Sequence, residues 1–301
     1  MKTIRSEHLG FCGGVSRAVK SAYDALDAAH SGLRKPKIFS LGPLIHNQIA
    51  LSRLKEKGLL ILDKDKIDSL DENCVVIVRA HGVSPLELKK IEARGALVID
   101  ATCPRVALSQ RRAKEFSAKG MFVILAGDSG HAEVKAVEGS ALFASERDCA
   151  VCGPGGRFAL VQSAAEADAL KVLPQMLGNA VLLSQTTFSP KEFVLISRIL
   201  SEKIKGLKVF NTICPATEYR QKALAELAKK VDALVVVGGK KSANSQRLFE
   251  LAKTLCPASY FVQSADELPD DFGDARIVGI AAGASSPDFV IDEVEARIRA
   301  I

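Results

Sequence analysis

The sequence predicts an α/β protein of three similar small domains, with mainly parallel sheets arranged around a pseudo-threefold axis. Three observations carry that expectation. Cys12, Cys103 and Cys214 each follow a β-rich stretch and precede an amphipathic helical pattern. The interval from Cys103 to Gly127 equals that from Cys214 to Gly238, 24 residues in both. Each repeat then closes on an apolar strand and a Ser-Pro step, at Ser84-Pro85, Ser189-Pro190 and Ser286-Pro287. Self-similarity of this kind marks one supersecondary unit used several times. Strands alternating with helices imply parallel pairing through right-handed crossovers.

The first unit, residues 1–100, opens with a predicted strand over residues 3–11 that ends at Cys12, followed by a helix. A short strand ending at Gly42 comes next, 30 residues after Cys12, and the Ser31-Gly32-Leu33-Arg34-Lys35-Pro36 loop absorbs the extra length. His46 opens a second helical pattern, and the strand around Val75-Val76-Ile77-Val78 leads to His81. The second unit, residues 101–210, repeats the order: a strand over residues 96–102, Cys103-Pro104, a helix, a strand ending at Gly127, His131 with Glu133 at the next helix start, and a strand leading to Thr186. The third unit, residues 211–301, has a strand over residues 207–213, then Cys214-Pro215, Gly238, Ser242 with Asn244 at a helix start, and Ser285 after the closing strand. Proline suits the first helical turn, where its missing N–H would have no partner anyway.

All of these marked residues fall at carboxyl ends of strands, which is where open α/β sheets bind ligands. If three equivalent sheet ends face one centre, the three thiols converge with the polar residues ringed about them. Iron–sulfur clusters are held by thiolates, and three ligands on a cubane leave one iron open to a substrate. Such an iron acts as a Lewis acid on oxygen while the cluster passes electrons. His46, His81 and His131 stand at repeat landmarks and suit a phosphorylated ligand. The Gly238-Gly239-Lys240-Lys241-Ser242-Ala243-Asn244-Ser245 stretch resembles an anion cradle at a helix start, although Ser242 also fits a plain N-cap. Glu133 reads either as a proton donor or as a first-turn carboxylate favoured by the helix dipole. Turn chemistry accounts for Thr186 and Ser285 almost as well as ligand binding does.

Composition bounds the remaining choices. With 41 basic and 35 acidic residues the net charge is +6, too small and dispersed for nucleic-acid binding, and with no Trp and three Tyr there is little material for base stacking. No apolar run approaches the roughly 18 residues of a membrane span. The charged start, Met1-Lys2-Thr3-Ile4-Arg5-Ser6-Glu7-His8, lacks a signal-peptide pattern, so a cytoplasmic location is expected. Of the seven cysteines, Cys149 and Cys152 form an isolated CxxC that reads as structural, and Cys74 and Cys256 read as buried.

Taken in order, Gly10-Phe11-Cys12-Gly13-Gly14-Val15, Ile45-His46-Asn47, Ala80-His81-Gly82-Val83-Ser84, Asp100-Ala101-Thr102-Cys103-Pro104, Gly130-His131-Ala132-Glu133, Gln185-Thr186-Thr187, Ile213-Cys214, Ser242-Ala243-Asn244-Ser245 and Gly283-Ala284-Ser285 resemble the LytB-type 4-hydroxy-3-methylbut-2-enyl diphosphate reductases. The resemblance implies reductive dehydroxylation of an allylic diphosphate to isopentenyl and dimethylallyl diphosphates, the last step of the methylerythritol phosphate pathway. It also implies one [4Fe-4S] cluster with three Cys ligands and one open iron, fed by an external reductant such as ferredoxin or flavodoxin. Carried over residue by residue, Cys12, Cys103 and Cys214 ligate the cluster, Glu133 supplies a proton, and Thr186 and His131 position the hydroxyl end. His46, His81, Ser242, Asn244 and Ser285 then form the diphosphate clamp. Ala132 and Ala243 stand where the family often has Pro and Ser, and Arg105-Val106-Ala107-Leu108-Ser109-Gln110 departs from the family's usual run. The alternatives are a non-catalytic iron–sulfur sensor on the same scaffold, which would not need Glu133 and Thr186, and a zinc-bound hydrolase.

Overall fold

A computed structural model describes residues 1–32, 35–148 and 157–301. Its twelve strands are β1 (Lys2–Arg5), β2 (Lys37–Leu41), β3 (Leu60–Leu62), β4 (Cys74–Val78), β5 (Leu97–Asp100), β6 (Phe122–Ala126), β7 (Phe158–Val161), β8 (Ala180–Ser184), β9 (Lys208–Val209), β10 (Ala233–Val237), β11 (Ser259–Val262) and β12 (Ile277–Ala282). The α-helices are α1 (Gly13–Ser31), α2 (Gln48–Glu56), α3 (Pro85–Glu92), α4 (Pro104–Ala118), α5 (Ala132–Asp148), α6 (Ala164–Ala169), α7 (Pro190–Lys203), α8 (Pro215–Ala228), α9 (Ala243–Leu255) and α10 (Asp288–Ala300). No helix among the described residues is long and apolar enough to cross a membrane.

The strands form three four-stranded sheets, ordered β3-β2-β4-β5, β7-β6-β8-β9 and, read in the same direction, β11-β10-β12-β1. All the registered pairs are parallel. One topology is thus used three times, and in each sheet the strand that runs into a cysteine lies at an edge. β5 leads to Cys103, β9 to Cys214, and β1, paired from Lys2↔Ile277 to Arg5↔Ile280, leads to Cys12. Central strands β4, β6, β8 and β10 are buried along their whole length, as parallel strands covered on both faces must be.

The chain separates into two compact units, Met1–Ser31 with Pro43–Leu60 and Pro215–Ile301, and Gly32–Gly42 with Ile61–Cys214. In the first, one face of the β10–β12 sheet packs on Val290, Ile291, Val294 and Ile298 of α10, and the other on Leu224, Leu227, Leu248 and Ala252 of α8 and α9. In the second, the β6–β8 sheet is covered by Phe193, Ile196 and Leu200 of α7 on one side and by Ala113, Val134 and Val137 of α4 and α5 on the other. β1 completes the sheet of the last repeat, so the first residues of the chain pair with its end.

Strands expected over residues 3–11, 96–102 and 207–213 are much shorter in the structure. After β1 the ladder ends with Ser6 N–H donating to Ile280 O (2.8 Å). Gly10 then turns at φ +71, and a Cβ there would lie 2.2 Å from Asp288 Oδ1, so only glycine fits the approach to Cys12.

The Ser-Pro steps act at helix starts. Ser84 and Ser189 are N-caps with proline at the first helical position, whereas Ser286 instead donates to Val237 O (2.8 Å). Ser84 and Glu87 form a complete capping box, and Lys64 pairs with Glu87. Burial pushes the Glu87 carboxyl up, but hydrogen bonds from Lys64 and from the Ser84 N–H and hydroxyl outweigh it and leave the group below the usual carboxylate range. Glu87 therefore adds stability above the unfolded value of about 4.3, and that contribution is lost as pH falls through the lower folded value. Glu87→Gln should lower stability by about 1 kcal/mol at neutral pH. In urea unfolding its midpoint should approach the parent's in acid, and a gap that persists there would remove the electrostatic account.

Candidate active site

In the first unit, Cys12 lies at the carboxyl end of its sheet because its N–H donates to Ala284 O (3.0 Å), beside Ser285. Buried Arg220 holds the preceding turn by donating to Gly10 O (2.8 Å). Ser285 Oγ reaches His46 O (3.5 Å), and Gly239 packs so closely that a Cβ on it would sit 1.9 Å from the same carbonyl. The backbone at His46 is thereby seated against the β10 and β12 loops. Asn47 caps α2 by accepting from Ala50 N–H (3.0 Å).

At the start of α9, Ser242 accepts from Ser245 N–H (3.4 Å), so it is an N-cap, the alternative left open by its sequence context. The hydroxyl proton remains available for donation. Asn244 is 7% exposed and its Nδ2 has no hydrogen-bond partner among the described residues. A buried amide donor without a partner costs about 1–3 kcal/mol, which a ligand's anionic oxygen would relieve. Ser245, fully buried, wedges between Gly238 and Gly283, where Cβ atoms would lie 2.5 and 2.0 Å from its Oγ. The first unit thus gathers Cys12, His46, Ser242, Asn244 and Ser285 at one sheet end.

The second unit gathers the others. Cys103 N–H donates to Ala80 O (2.9 Å), next to His81, and Cys214 N–H donates to Thr186 O (2.8 Å). His81 and His131 meet edge to face at 5.4 Å between ring centroids. Glu133, 1% exposed, directs both carboxylate oxygens at Thr186: the Thr186 N–H donates to Oε1 and its hydroxyl pairs with Oε2, each at 2.7 Å. Its carboxylate therefore reaches across to the end of β8. His131 Nδ1 accepts from Glu133 N–H (3.2 Å), so the neutral ring carries its proton on Nε2.

Several positioning groups carry no repeat signal. Gln185, fully buried, accepts from Asp128 N–H (2.8 Å) and fixes the loop before His131. Gln110 donates to Val83 O (2.8 Å) and lies close under Gly82. Arg79, 8% exposed, presses its guanidinium against Gly42, and its Nε has no partner among the described residues. Burial pushes that guanidinium below its usual range, opposed by Glu87. Arginine at a strand end is unremarkable in sequence, and only its burial marks it.

The thiols sort into two groups. Cys74 and Cys256 are buried in apolar clusters, with Cys74 Sγ donating to Asp71 Oδ1 (3.0 Å) and Cys256 Sγ to Asp232 O (3.4 Å). Burial and the hydrogen bond to Asp71 push the Cys74 thiol up, which suits an inert group. Among the described residues Cys12, Cys103 and Cys214 take part in no disulfide, and all three are half-buried. Each immediately precedes a helix, and the Cys12 and Cys103 carbonyls accept the first helical N–H of α1 and α4 (2.8 and 2.9 Å). Three thiols at strand-to-helix junctions are the soft donors that a soft metal centre takes. Cys149 and Cys152 lie outside the described residues.

The family model described as LytB protein matches residues 3–299. Among curated proteins, the 4-hydroxy-3-methylbut-2-enyl diphosphate reductase of Treponema denticola is 42% identical, covering 99% of each chain. The enzyme of the same name from Thermoanaerobacter sp. strain X514 is 38% identical over 99% of this chain and 97% of its own. Among solved structures, an (E)-4-hydroxy-3-methyl-but-2-enyl diphosphate reductase described as the terminal enzyme of the non-mevalonate pathway aligns over the full length of both chains, with TM-score 0.71 and 34% identity. The Plasmodium falciparum reductase shares the fold, with TM-score 0.84 at 23% identity over 98% of this chain and 87% of its own.

Proposed function

Because the chain belongs to the LytB family, we propose that it reduces 4-hydroxy-3-methylbut-2-enyl diphosphate to isopentenyl and dimethylallyl diphosphates, the terminal step of the non-mevalonate pathway. Enzymes of this family depend on iron and sulfur, and the proposal extends to one [4Fe-4S] cluster held by Cys12, Cys103 and Cys214. When bound, the cluster supplies electrons and one open iron as a Lewis acid for the leaving oxygen. In balance, the allylic C–O bond breaks, a C–H bond forms, two electrons and two protons are consumed, and one water leaves.

The observation that carries the reading is the Glu133–Thr186 pair. A sensor protein that only held a cluster would have no use for a buried carboxylate with both oxygens directed at one threonine. With Glu133 ionised, the Thr186 hydroxyl donates to Oε2. With Glu133 protonated, the same 2.7 Å contact reverses, and the Thr186 hydroxyl is released to donate to the departing oxygen. The pair is a short proton relay. His131, through Nε2–H, is the neutral donor placed two residues from Glu133.

His46, His81, Ser242, Asn244 and Ser285 form the proposed diphosphate clamp. Asn244 offers the cleanest test, since its Nδ2 donor is already buried and without a partner among the described residues. A hydrogen bond to a charged group contributes about 1.5–3 kcal/mol, so Asn244→Ala should weaken diphosphate binding roughly 10- to 150-fold. Anaerobic calorimetry with a diphosphate and a monophosphate analogue checks this. Equal affinity of parent and variant for the diphosphate would remove Asn244 from the clamp.

A further inference from the structure

The reaction consumes two electrons per turnover, and the chain must receive them from outside. In the second unit a groove of about 110 Å³ is lined by Arg105, Leu108, Arg112, Asn211, Thr212 and Ile213. Its two walls are the two segments that carry thiols: Arg105 follows Cys103 by two residues, and Ile213 immediately precedes Cys214. Charge along these walls has one sign. Residues 101–114 and 205–217 contain Arg105, Arg111, Arg112, Lys114, Lys205 and Lys208 and no Asp or Glu.

Among the described residues none of Arg105, Arg111, Arg112 or Lys208 is ion-paired, although surface pairs are frequent elsewhere on the chain. Arg112 stacks over the Phe210 ring at 5.0 Å, and half-buried Leu108 and Ile213 add apolar surface to the lining. A mainly polar lining with two arginines and two apolar side chains suits a polar, charge-steered protein contact rather than a purely apolar one.

We propose that this groove is where an acidic one-electron carrier protein docks to deliver electrons at the Cys103 and Cys214 side of the site. The inference rests on the functional reading above and adds its partner surface. Each reduced carrier gives up one electron and leaves oxidised, so two dockings supply the pair that breaks the C–O bond. The unpaired cations steer an acidic partner and raise its association rate, an effect that weakens as salt rises.

The test compares two reductants on one protein carrying its cluster. A reduced acidic ferredoxin has to dock, whereas dithionite with a viologen mediator does not. In Arg105→Glu combined with Arg112→Gln, ferredoxin-driven kcat/KM should fall at least about tenfold at low ionic strength, with a flattened salt dependence. Viologen-driven turnover should change less than about twofold, and the charge-conserving pair Arg105→Lys with Arg112→Lys should restore the ferredoxin rate. Lys208→Glu, on the exposed edge strand, should lower the ferredoxin rate alone and guards against local misfolding at Arg112. An unchanged ferredoxin rate, or an equal fall with both reductants, overturns the docking site while leaving the enzyme reading intact. Absence of viologen-driven turnover in the unmodified protein would remove both.

Discussion

Replacing Cys103 by Ser is expected to leave a folded protein that has lost its broad visible absorbance, its bound iron and sulfide, and its activity. A serine keeps the backbone N–H donation to Ala80 O and the helix start at Pro104, but its hydroxyl cannot supply the soft anionic ligand. Cys12→Ser and Cys214→Ser should behave alike, because each cysteine follows the edge strand of an equivalent sheet and immediately precedes the next helix. Cys74→Ala is the contrast: its thiol sits in an apolar cluster and bonds Asp71, so the variant should keep its chromophore. Anaerobic iron and sulfide assays on the four proteins decide the matter. A Cys214→Ser protein with full cluster content would show the ligand set to be wrong.

The second large effect belongs to Glu133. Glu133→Gln preserves the shape of the side chain and still accepts the Thr186 N–H, but an amide has no acidic proton to pass through the Thr186 hydroxyl. Turnover should fall by at least about 10², in line with the usual contribution of general acid catalysis. Cluster content and substrate affinity should stay within about tenfold of the parent, since the proposed clamp residues are untouched. Steady-state reduction with dithionite and viologen, beside a substrate titration of the oxidised spectrum, separates the two. Near-normal turnover would return Glu133 to the role of a first-turn carboxylate on α5.

The fold was legible because repetition exposed it. Equal intervals from Cys103 to Gly127 and from Cys214 to Gly238 place equivalent strands, and those strands are the central, fully buried β6 and β10. The edge strands opposite the cysteine-bearing ones were not legible: β3, β7 and β11 have three or four residues each and are only partly buried, so neither length nor apolar pattern sets them apart from loop. Nor could the sequence place Lys2–Arg5 beside Ile277–Ile280, a pairing across almost the whole chain.

The site divides the same way. Repeat landmarks pointed to Cys12, Cys103, Cys214, His46, His81, His131, Ser242, Thr186 and Ser285 as residues. They carried no information on which atoms meet: the Glu133–Thr186 pairing spans 53 positions, and the His131 tautomer follows from a backbone N–H that every residue type possesses. The positioning roles of Arg79 and Gln185 were not legible because they come from burial and backbone contacts.

The most direct test of the central claim is anaerobic incubation of the cluster-loaded protein with dithionite, a viologen mediator and 4-hydroxy-3-methylbut-2-enyl diphosphate, counting electrons and identifying products. The reading predicts isopentenyl and dimethylallyl diphosphates as the only five-carbon products, with two electrons used per substrate consumed. A protein that holds its cluster, binds the diphosphate and yet leaves the hydroxyl in place would contradict it and identify a binding or sensing protein instead.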